Sequence, residues 1–359
     1  MIGVLLVSGF ISRAVLRGLR IHRHIPEYLV AGQAAAVQYE IANTKRYLPS
    51  LSVTVGELTA AEAFLRQPQA YLLHAAAGTR ATVLTEVVPK RRGVHQFARF
   101  QLSTSFPFGF IRRAVNRDQK DSVLVHPPLA QVDPRLLSMF LSAEQGGARM
   151  KPRRGGADEF YGVKEFRQGE NPRFICWRRS ARVGTLVARE MSHVAPPRLL
   201  IVVDTLLRHR SPAAHAAVEQ VIAMAASLVM HGLEQGLAVG LCAFSGQSVL
   251  VAPSRGKRHG RELLSILSRL PLNTSCDLDS LVESARNLLR EGTTRIIFTP
   301  NDIGVSDYAH GHWVIISAGS DVARRSFRFD PTIDFEQCIP LDQIPAPGEA
   351  GPRVKTRNA

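Results

Sequence analysis

Two adjacent acids, Asp158 and Glu159, precede a run of arginines that includes Arg173 and Arg182. Paired carboxylates are typical of general acid–base catalysis, in which one group donates a proton and the other accepts it. Adjacent side chains diverge, however, and nearby guanidinium groups keep carboxylates ionised and therefore weak as acids. We predict that these acids, together with Glu165, form structural ion pairs with the arginines; ligand clamping by Arg173 and Arg182 is the alternative.

The segment between these charges is predicted to be a helix that carries a core aromatic residue. Asn171 can cap a helix that starts at Pro172, and Gly184 suits the position just after its end, before a short strand over residues 185–187. Trp177 lies inside this helix, and we interpret it as a core anchor rather than a platform for a ligand. Under that hypothesis, Trp177→Ala lowers the free energy of unfolding by about 3–5 kcal/mol.

The spacing of residues across this segment resembles the signature of the domain-of-unknown-function 58 family. The positions that carry the resemblance are Gly156, Glu159, Phe160, Val163, Lys164, Glu165, Phe166, Gly169, Glu170, Arg173, Ile175, Trp177, Ser180, Ala181 and Arg182. Members of that family are von Willebrand factor A-like proteins, often encoded beside MoxR-type AAA ATPases. The resemblance therefore implies an α/β fold and a MoxR-type ATPase as partner, and it leaves the chemistry undefined.

A candidate metal site follows from the same resemblance. A continuous apolar strand over residues 199–203 ends at Asp204, and ligands of open α/β sheets bind at the carboxyl ends of strands. In von Willebrand factor A domains this position begins D-x-S-x-S, whose oxygens hold a divalent cation. Leu206 and Arg208 replace both serines, although Thr274 and Asp302 match the remaining positions. We therefore predict a degenerate site with no metal and no cofactor, in which Asp204 caps a loop or pairs with an arginine.

The remaining patterns predict the fold around these sites. Period-two alternation, as in residues 37–41 and 94–102, predicts a small all-β sandwich over residues 20–128. Apolar strands then alternate with amphipathic helices, which predicts a doubly wound, mostly parallel sheet of von Willebrand factor A-like type within residues 129–345. Residues 346–359 are predicted to be a disordered basic tail.

The N-terminal segment, residues 1–19, is apolar over residues 1–11, and a basic cluster follows at Arg13, Arg17, Arg20 and Arg23. About 20 apolar residues are needed to span a bilayer as a helix, so the run is too short alone. Because the resembled family usually begins with two membrane helices, we interpret it as the end of the second one, with a frayed amphipathic N-terminus as the alternative. Basic residues after a membrane helix favour the cytoplasmic face of the membrane; without a membrane helix the chain is expected in the cytoplasm.

Composition and motifs favour some classes of function over others, and they leave several classes open. The net charge of +15 favours an anionic partner, and aromatic residues at 7% are too few to favour base stacking on nucleic acid. The sequence contains no P-loop, no dinucleotide fingerprint, no nucleophile elbow and no His-Glu-x-x-His motif. We expect a non-catalytic, membrane-associated scaffold or adaptor. The alternatives are a basic surface that binds anionic lipid or nucleic acid, and a metal-dependent adhesion module.

Overall fold

Alternating apolar and polar residues dominate the N-terminal half, which forms eight β-strands after one helix. The computed structural model describes residues 2–59, 61–145, 153–167, 171–193, 197–209, 211–273, 275–290, 292–302 and 313–338. Helix α1 is Ile2–Leu16, and the strands are β1 Leu19–His24, β2 Tyr28–Val30, β3 Ala35–Asn43, β4 Ser50–Glu57, β5 Gln69–Ala75, β6 Arg80–Val87, β7 Gly93–Thr104 and β8 Arg113–His126. They form two sheets of order β1-β3-β6 and β2-β8-β7-β4-β5, which share one buried apolar cluster.

Strand β7 departs from the predicted alternation. The sequence predicts Val94 on the buried face and His95 in water, but Val94 is exposed and His95 is buried. A β-bulge between Phe97 and Arg99 shifts the register of β7 against β8. The pairs Phe97–Asp121 and Arg99–Asp118 are two residues apart on β7 and three on β8, and the burial of β7 changes phase at this point. The predicted alternation is therefore correct only after the register shift, where Phe100 is buried.

A buried ion cluster lies in the core of this half. Arg23 donates to Glu57 Oε1 at 2.6 Å and to Asp121 Oδ2 at 2.8 Å, and the hydroxyl of Tyr39 donates to Glu57 Oε1 at 2.8 Å. Burial raises the pKa of Glu57, and the adjacent guanidinium opposes that increase. Arg23 is therefore a core residue rather than part of an exposed basic cluster after the N-terminal segment.

The C-terminal half contains a five-stranded sheet with helices on both faces. Its elements are β12 Arg198–Val203, α4 Pro212–Glu234, β13 Ala238–Phe244, β14 Ser248–Ser254, α5 Lys257–Arg269, α6 Leu278–Arg286, β15 Thr293–Thr299, β16 Trp313–Ser317 and α7 Asp321–Ser326. The strand order is β14-β13-β12-β15-β16, in which only the edge strand β14 is antiparallel to its neighbour.

The central strand β12 is buried on both sides, as its continuous apolar sequence predicts. Leu199 and Ile201 belong to the core cluster that includes α4 and α5, whereas Leu200 and Val202 belong to the cluster on the other face with α6. Helix α4 is the one helix of the described residues that is long and apolar enough to cross a membrane, and 67% of its most apolar window is buried. Its hydrophobicity is therefore accounted for by the core of this half.

Shorter elements connect the two halves and carry the signature segment. These are β9 Gln131–Val132, α2 Pro134–Gln145, β10 Arg153–Glu165, the 3₁₀ turn Pro172–Phe174, α3 Trp177–Val183, β11 Val187–His193 and β17 Phe327–Arg328, in addition to the 3₁₀ turn Ala61–Ala63 of the first half. Strands β10 and β11 form an antiparallel hairpin, and β17 pairs with β9. The sequence also predicts a helix over residues 133–151; α2 occupies Pro134–Gln145, and residues 146–151 lie outside the described part.

A second buried ion pair joins the two halves. Arg92, which precedes β7, donates Nε to Glu219 Oε2 at 2.7 Å and Nη2 to Glu219 Oε1 at 2.9 Å. Its remaining nitrogen donates to the carbonyls of Leu267 and Ser268 at the end of α5. His126 adds a contact of 2.8 Å to the hydroxyl of Ser268. This bidentate ion pair and the bonds to the two carbonyls orient α4 and α5 against the N-terminal half.

The last described residues return to the N-terminal half. The carbonyl of Cys338 accepts a hydrogen bond from the N–H of Arg92, at 3.4 Å. Gly32 has a positive φ of 77°, and a Cβ there would lie 2.9 Å from the side chain of Ile333. The segment from β17 to Cys338 therefore lies against both halves. Assignment of these layers to a von Willebrand factor A-like fold after a sandwich remains a prediction.

Candidate functional site

The carboxylate of Asp204 lies at the carboxyl end of β12 and is almost completely buried. Its Oδ1 accepts a hydrogen bond from the N–H of Leu206 at 2.8 Å, and its Oδ2 accepts one from the hydroxyl of Thr299 at 2.8 Å. Burial raises the pKa of Asp204, and these hydrogen bonds partly oppose the increase. Asp204 therefore caps the loop that follows β12, which is the first of the two roles predicted for it.

Asparagine side chains and backbone bonds hold the loops around Asp204. Asn301 Nδ2 donates to the carbonyl of Leu206 at 3.1 Å, and the N–H of Asn273 donates to the carbonyl of Thr205 at 3.0 Å. Thr274, the predicted threonine of the degenerate metal site, lies outside the described residues. This edge of the sheet is thus a network of short hydrogen bonds made by uncharged groups around one buried carboxyl.

The other positions of the degenerate site have different surroundings. Asp302 is exposed, and its Oδ1 accepts a hydrogen bond from the hydroxyl of Ser317 at 3.2 Å. Arg208 is also exposed, and its charge is the weakest of the influences that lower the pKa of Asp204. In the part of the chain that the structure describes, no three His, Cys, Asp or Glu side chains are grouped so that they could hold a metal ion.

The raised pKa of Asp204 predicts a dependence of stability on pH. An acid with a raised pKa in the folded state stabilises the protein below its ordinary value of 3.8, and this contribution is lost as the pH rises through the raised pKa. Asp204→Asn removes the ionisation but keeps an oxygen that can accept from Leu206. We expect the melting temperature of the variant to improve relative to the wild type as the pH rises from about 4 to about 7.

The exposed Asp302 on the same edge provides a matched control, because Asp302→Asn removes a similar charge from a solvated site. Thermal melts of the three proteins in one buffer series measure the effect. A difference between Asp204→Asn and the wild type that is constant over this range would show that Asp204 titrates at its ordinary pKa.

The signature segment folds in two pieces where one helix is predicted. Asn171 caps only the 3₁₀ turn, with its side chain accepting from the N–H of Arg173 at 3.1 Å. The N–H of Cys176 then donates to the carbonyl of Val187 at 2.7 Å, and Ile175 forms a bridge with the next residue of β11. This pairing interrupts the helix before α3, and it also places the start of the strand at Val187 rather than at residue 185.

Trp177 does not lie in a core, and the prediction that it anchors one is wrong. Its side chain is 66% exposed on the first turn of α3. The residue that fixes α3 to the hairpin is Ser180, whose hydroxyl is buried and accepts from the N–H of Val187 at 2.9 Å. Because a small side chain fills this contact, α3 lies close to β11 and the indole ring projects into solvent. The predicted loss of 3–5 kcal/mol for Trp177→Ala therefore no longer follows.

Apolar and basic side chains together cover the outer surface of this segment. We call this surface the signature face. All of its members are exposed: Arg173, Phe174, Trp177, Arg178, Arg179, Arg182, Val183 and Leu186. Solvent-exposed large apolar residues that lie next to one another and are surrounded by charge mark interaction sites more often than isolated ones do.

The part of the chain that carries the signature face and the C-terminal sheet matches the model of a known family. Residues 162–321 match the family described as protein of unknown function DUF58. We call residues 162–321 the DUF58 domain. The matched residues run from β10 to α7, so the domain includes both the signature face and the Asp204 edge.

The similarities to other known proteins are too weak to indicate a fold or a function for the chain. No curated protein matches the chain. A β-glucosidase from Listeria innocua is 17% identical at a TM-score of 0.18, covering 30% of this chain and 16% of the glucosidase. An exo-β-N-acetylglucosaminidase of family GH20 from Vibrio harveyi is 10% identical at a TM-score of 0.16, covering 76% and 60% of the two chains. The chain thus spans about a sixth of the first of these proteins.

The predicted ion pairs of the DUF58 signature are not among the described contacts. Glu165, Arg173 and Arg182 are exposed, and none of the three forms an ion pair with another described residue. The side chains of Asp158 and Glu159 lie outside the described part, so their pairing with arginines stays a prediction. The arginines of α3 are therefore available to a partner rather than committed to the described part of the fold.

Sequence reasoning missed the ion pair between Arg92 and Glu219. The available signal was Glu219 itself, which lies beside Val218 and before Val221 in the apolar stripe of α4. A charged residue at the edge of such a stripe predicts a buried partner, because unpaired buried charge is unstable. No local pattern identifies Arg92 as that partner, since the two residues are 127 positions apart.

Proposed function

We propose that the chain is a non-catalytic, membrane-associated adaptor that binds a protein partner through the signature face. The partner proposed from the family resemblance is a MoxR-type AAA ATPase, and the location is the cytoplasmic face of a membrane. The DUF58 domain, as a von Willebrand factor A-like platform, would present the signature face, while the N-terminal half holds the platform in a fixed orientation.

The observation that carries this proposal is the exposure of Trp177 among arginines. Tryptophan and arginine are the residues most enriched among those that dominate binding energy at protein interfaces. An indole ring that is 66% exposed leaves most of its apolar surface in water until a partner covers it. Four exposed arginines lie within five positions of it in the sequence, so the complementary surface on the partner would be acidic with an apolar pocket.

The hydrogen bonds at the Asp204 edge support the non-catalytic part of the proposal. A general acid or base needs free access to the proton that it transfers. Both oxygens of Asp204 instead accept bonds from the protein, and the adjoining loops are held by asparagines. The best-placed buried carboxyl of the DUF58 domain therefore has a structural role that already uses its polar atoms.

Affinity purification from native membranes tests the proposal. The wild-type chain should retain an AAA ATPase, and Arg178→Glu combined with Arg182→Glu should release it, because the change reverses two charges on the signature face. Arg117→Glu with Arg255→Glu is the matched control, since both residues are exposed elsewhere and the net charge changes equally. Retention of the ATPase by the signature variant, or no ATPase with the wild type, would contradict the proposal.

The basic surface favours a second function, binding of anionic lipid or nucleic acid. The net charge of +15 and the arginines of the signature face are the relevant observations. Phosphate contacts would make such binding fall steeply with salt, whereas an interface built around Trp177 would depend on salt only in part. A salt series with a fluorescent oligonucleotide, in which the two charge-reversed variants are compared, separates this function from partner binding.

A further inference from the structure

Over residues 6–12, helix α1 has the reverse of the polarity expected for a surface helix in water. Ser8 and Ser12, one turn apart, are fully buried against the N-terminal half. On the outer side, Leu6 is 71% exposed and Phe10 is 76% exposed. Surface helices of soluble domains normally bury their apolar stripe and expose the polar one. In these turns the hydroxyls therefore face protein while Leu6 and Phe10 face the surroundings, whereas Val15 and Leu16 at the end of α1 belong to the apolar core.

A turn with exposed aromatic residues is hydrogen-bonded to α1. The hydroxyl of Ser12 donates to the carbonyl of Phe106 at 2.8 Å, which joins the helix to the turn between β7 and β8. The two aromatic residues that follow, Phe108 and Phe110, are exposed, and their ring centroids are 6.3 Å apart. No apolar residue of the described chain buries them, so the turn extends the apolar surface of α1 onto the β-sheet domain.

A second loop attaches to the other end of α1. Lys45 Nζ donates to the carbonyls of Ala14 and Val15 at 2.9 and 3.0 Å. The next residues of this loop are exposed, with Tyr47 77% exposed and the guanidinium of Arg46 above its ring at 5.1 Å. Tyrosine and arginine together are typical of the headgroup level of a membrane, where a ring meets apolar chains and a cation meets phosphate.

We propose that the N-terminal half binds the surface of an anionic lipid bilayer through three of its parts. These are α1, the turn around Phe108 and Phe110, and the loop with Tyr47 and Leu48. The proposal rests on the membrane association proposed above and adds that the domain contacts lipid through its own loops. The exposed side chains Leu6 and Phe10 of α1 would enter the acyl chains. Arg13 and Arg46 are exposed and provide the charge that anionic headgroups attract.

The orientation that follows is more specific than attachment by a helix. Several contacts between a domain and a bilayer restrict the orientation of the domain more than a single helix does. Since the ion pair of Arg92 and Glu219 joins the two halves, the DUF58 domain would take one orientation relative to the bilayer. The signature face would then be presented to partners at a defined height above it.

Sedimentation of the full chain with vesicles tests the proposal. Vesicles of phosphatidylcholine alone are compared with vesicles that also contain phosphatidylglycerol. We expect the wild type to bind the anionic vesicles, and Phe108→Ser with Phe110→Ser to reduce the partition coefficient by about tenfold or more, because two exposed rings no longer leave water. Leu73→Ser with Leu84→Ser is the matched control, since both leucines are similarly exposed on the same half, on β5 and β6.

A third variant separates this proposal from membrane association itself. The proposal is wrong if Leu6→Ser with Phe10→Ser releases the chain from the vesicles while Phe108→Ser with Phe110→Ser binds like the wild type. In that case the helix alone attaches the chain, and the loops do not contact lipid. Failure of the wild type to bind either vesicle overturns both ideas. Concentration-dependent dimerisation without lipid that is lost in the Phe108 and Phe110 variant would assign the surface to a second copy of the chain instead. The purification of the AAA ATPase is a separate readout, so adaptor function can fail or hold independently.

Discussion

Arg92→Met is expected to lower the free energy of unfolding by about 3–5 kcal/mol, because it leaves the carboxylate of Glu219 charged and unpaired in a buried interface. Both side chains are almost fully inaccessible to water, and the pair is bidentate. The substitution also removes the donors that reach the carbonyls of Leu267 and Ser268. Urea denaturation followed by circular dichroism measures the change.

Two further variants define what the ion pair contributes. Arg99→Met removes an arginine from the exposed pair with Asp118 and should leave the denaturation midpoint nearly unchanged. Arg92→Met combined with Glu219→Leu should recover much of the lost stability, because an apolar pair of similar volume leaves no buried charge. Equal midpoints for Arg92→Met and Arg99→Met would refute the role of Arg92 as the link between the halves.

Trp177→Ala is expected to weaken binding of the protein partner by about 30-fold while leaving the melting temperature unchanged. The binding loss follows from removal of the large apolar side chain at the centre of the signature face. The unchanged melting temperature follows from its exposure, since no cavity forms when a side chain that projects into solvent is shortened. Titration of the partner by calorimetry, paired with thermal melts, measures both quantities.

The other tryptophan of the chain is the natural control. Trp313 begins β16 and packs against the cluster on the α6 face of the sheet. Trp313→Ala should lower the melting temperature without a specific effect on partner affinity. A large destabilisation by Trp177→Ala would restore the interpretation of that residue as a core anchor, and unchanged affinity would remove the signature face as the docking surface.

The periodic elements of the C-terminal half could be predicted from sequence. The apolar stripe from Val218 to Val229 lies in α4, and the run from Leu199 to Val203 is the central strand β12. Both patterns are local, because the residues that repeat are neighbours on one helix face or along one strand. Apolar periodicity predicts a helix over Glu262–Leu270, whereas α5 starts five residues earlier at Lys257, in a first turn that has no apolar periodicity to reveal it.

Burial of single side chains could not be predicted in the same way. Trp177 and Arg92 have the reverse of the burial expected from their chemical types, one exposed and the other enclosed. What decides each case is a residue distant in sequence or a small neighbour such as Ser180, which sets how closely two elements approach. The register shift between β7 and β8 is another example, because the burial of β7 changes phase there within an alternation that is otherwise regular.

The segment from β17 to Cys338 has a consequence for the order of events on the ribosome. The N-terminal half is synthesised first and has its own apolar cluster, so it can fold before the rest of the chain emerges. Its contacts with Ile333 and Cys338, however, require almost the last described residues. A nascent chain would therefore reach a lipid surface through α1 and its neighbouring loops well before the DUF58 domain locks into place. If α1 and these loops bind lipid as proposed, attachment to the bilayer would precede folding of the DUF58 domain. The signature face would then form only on chains that are already at the membrane.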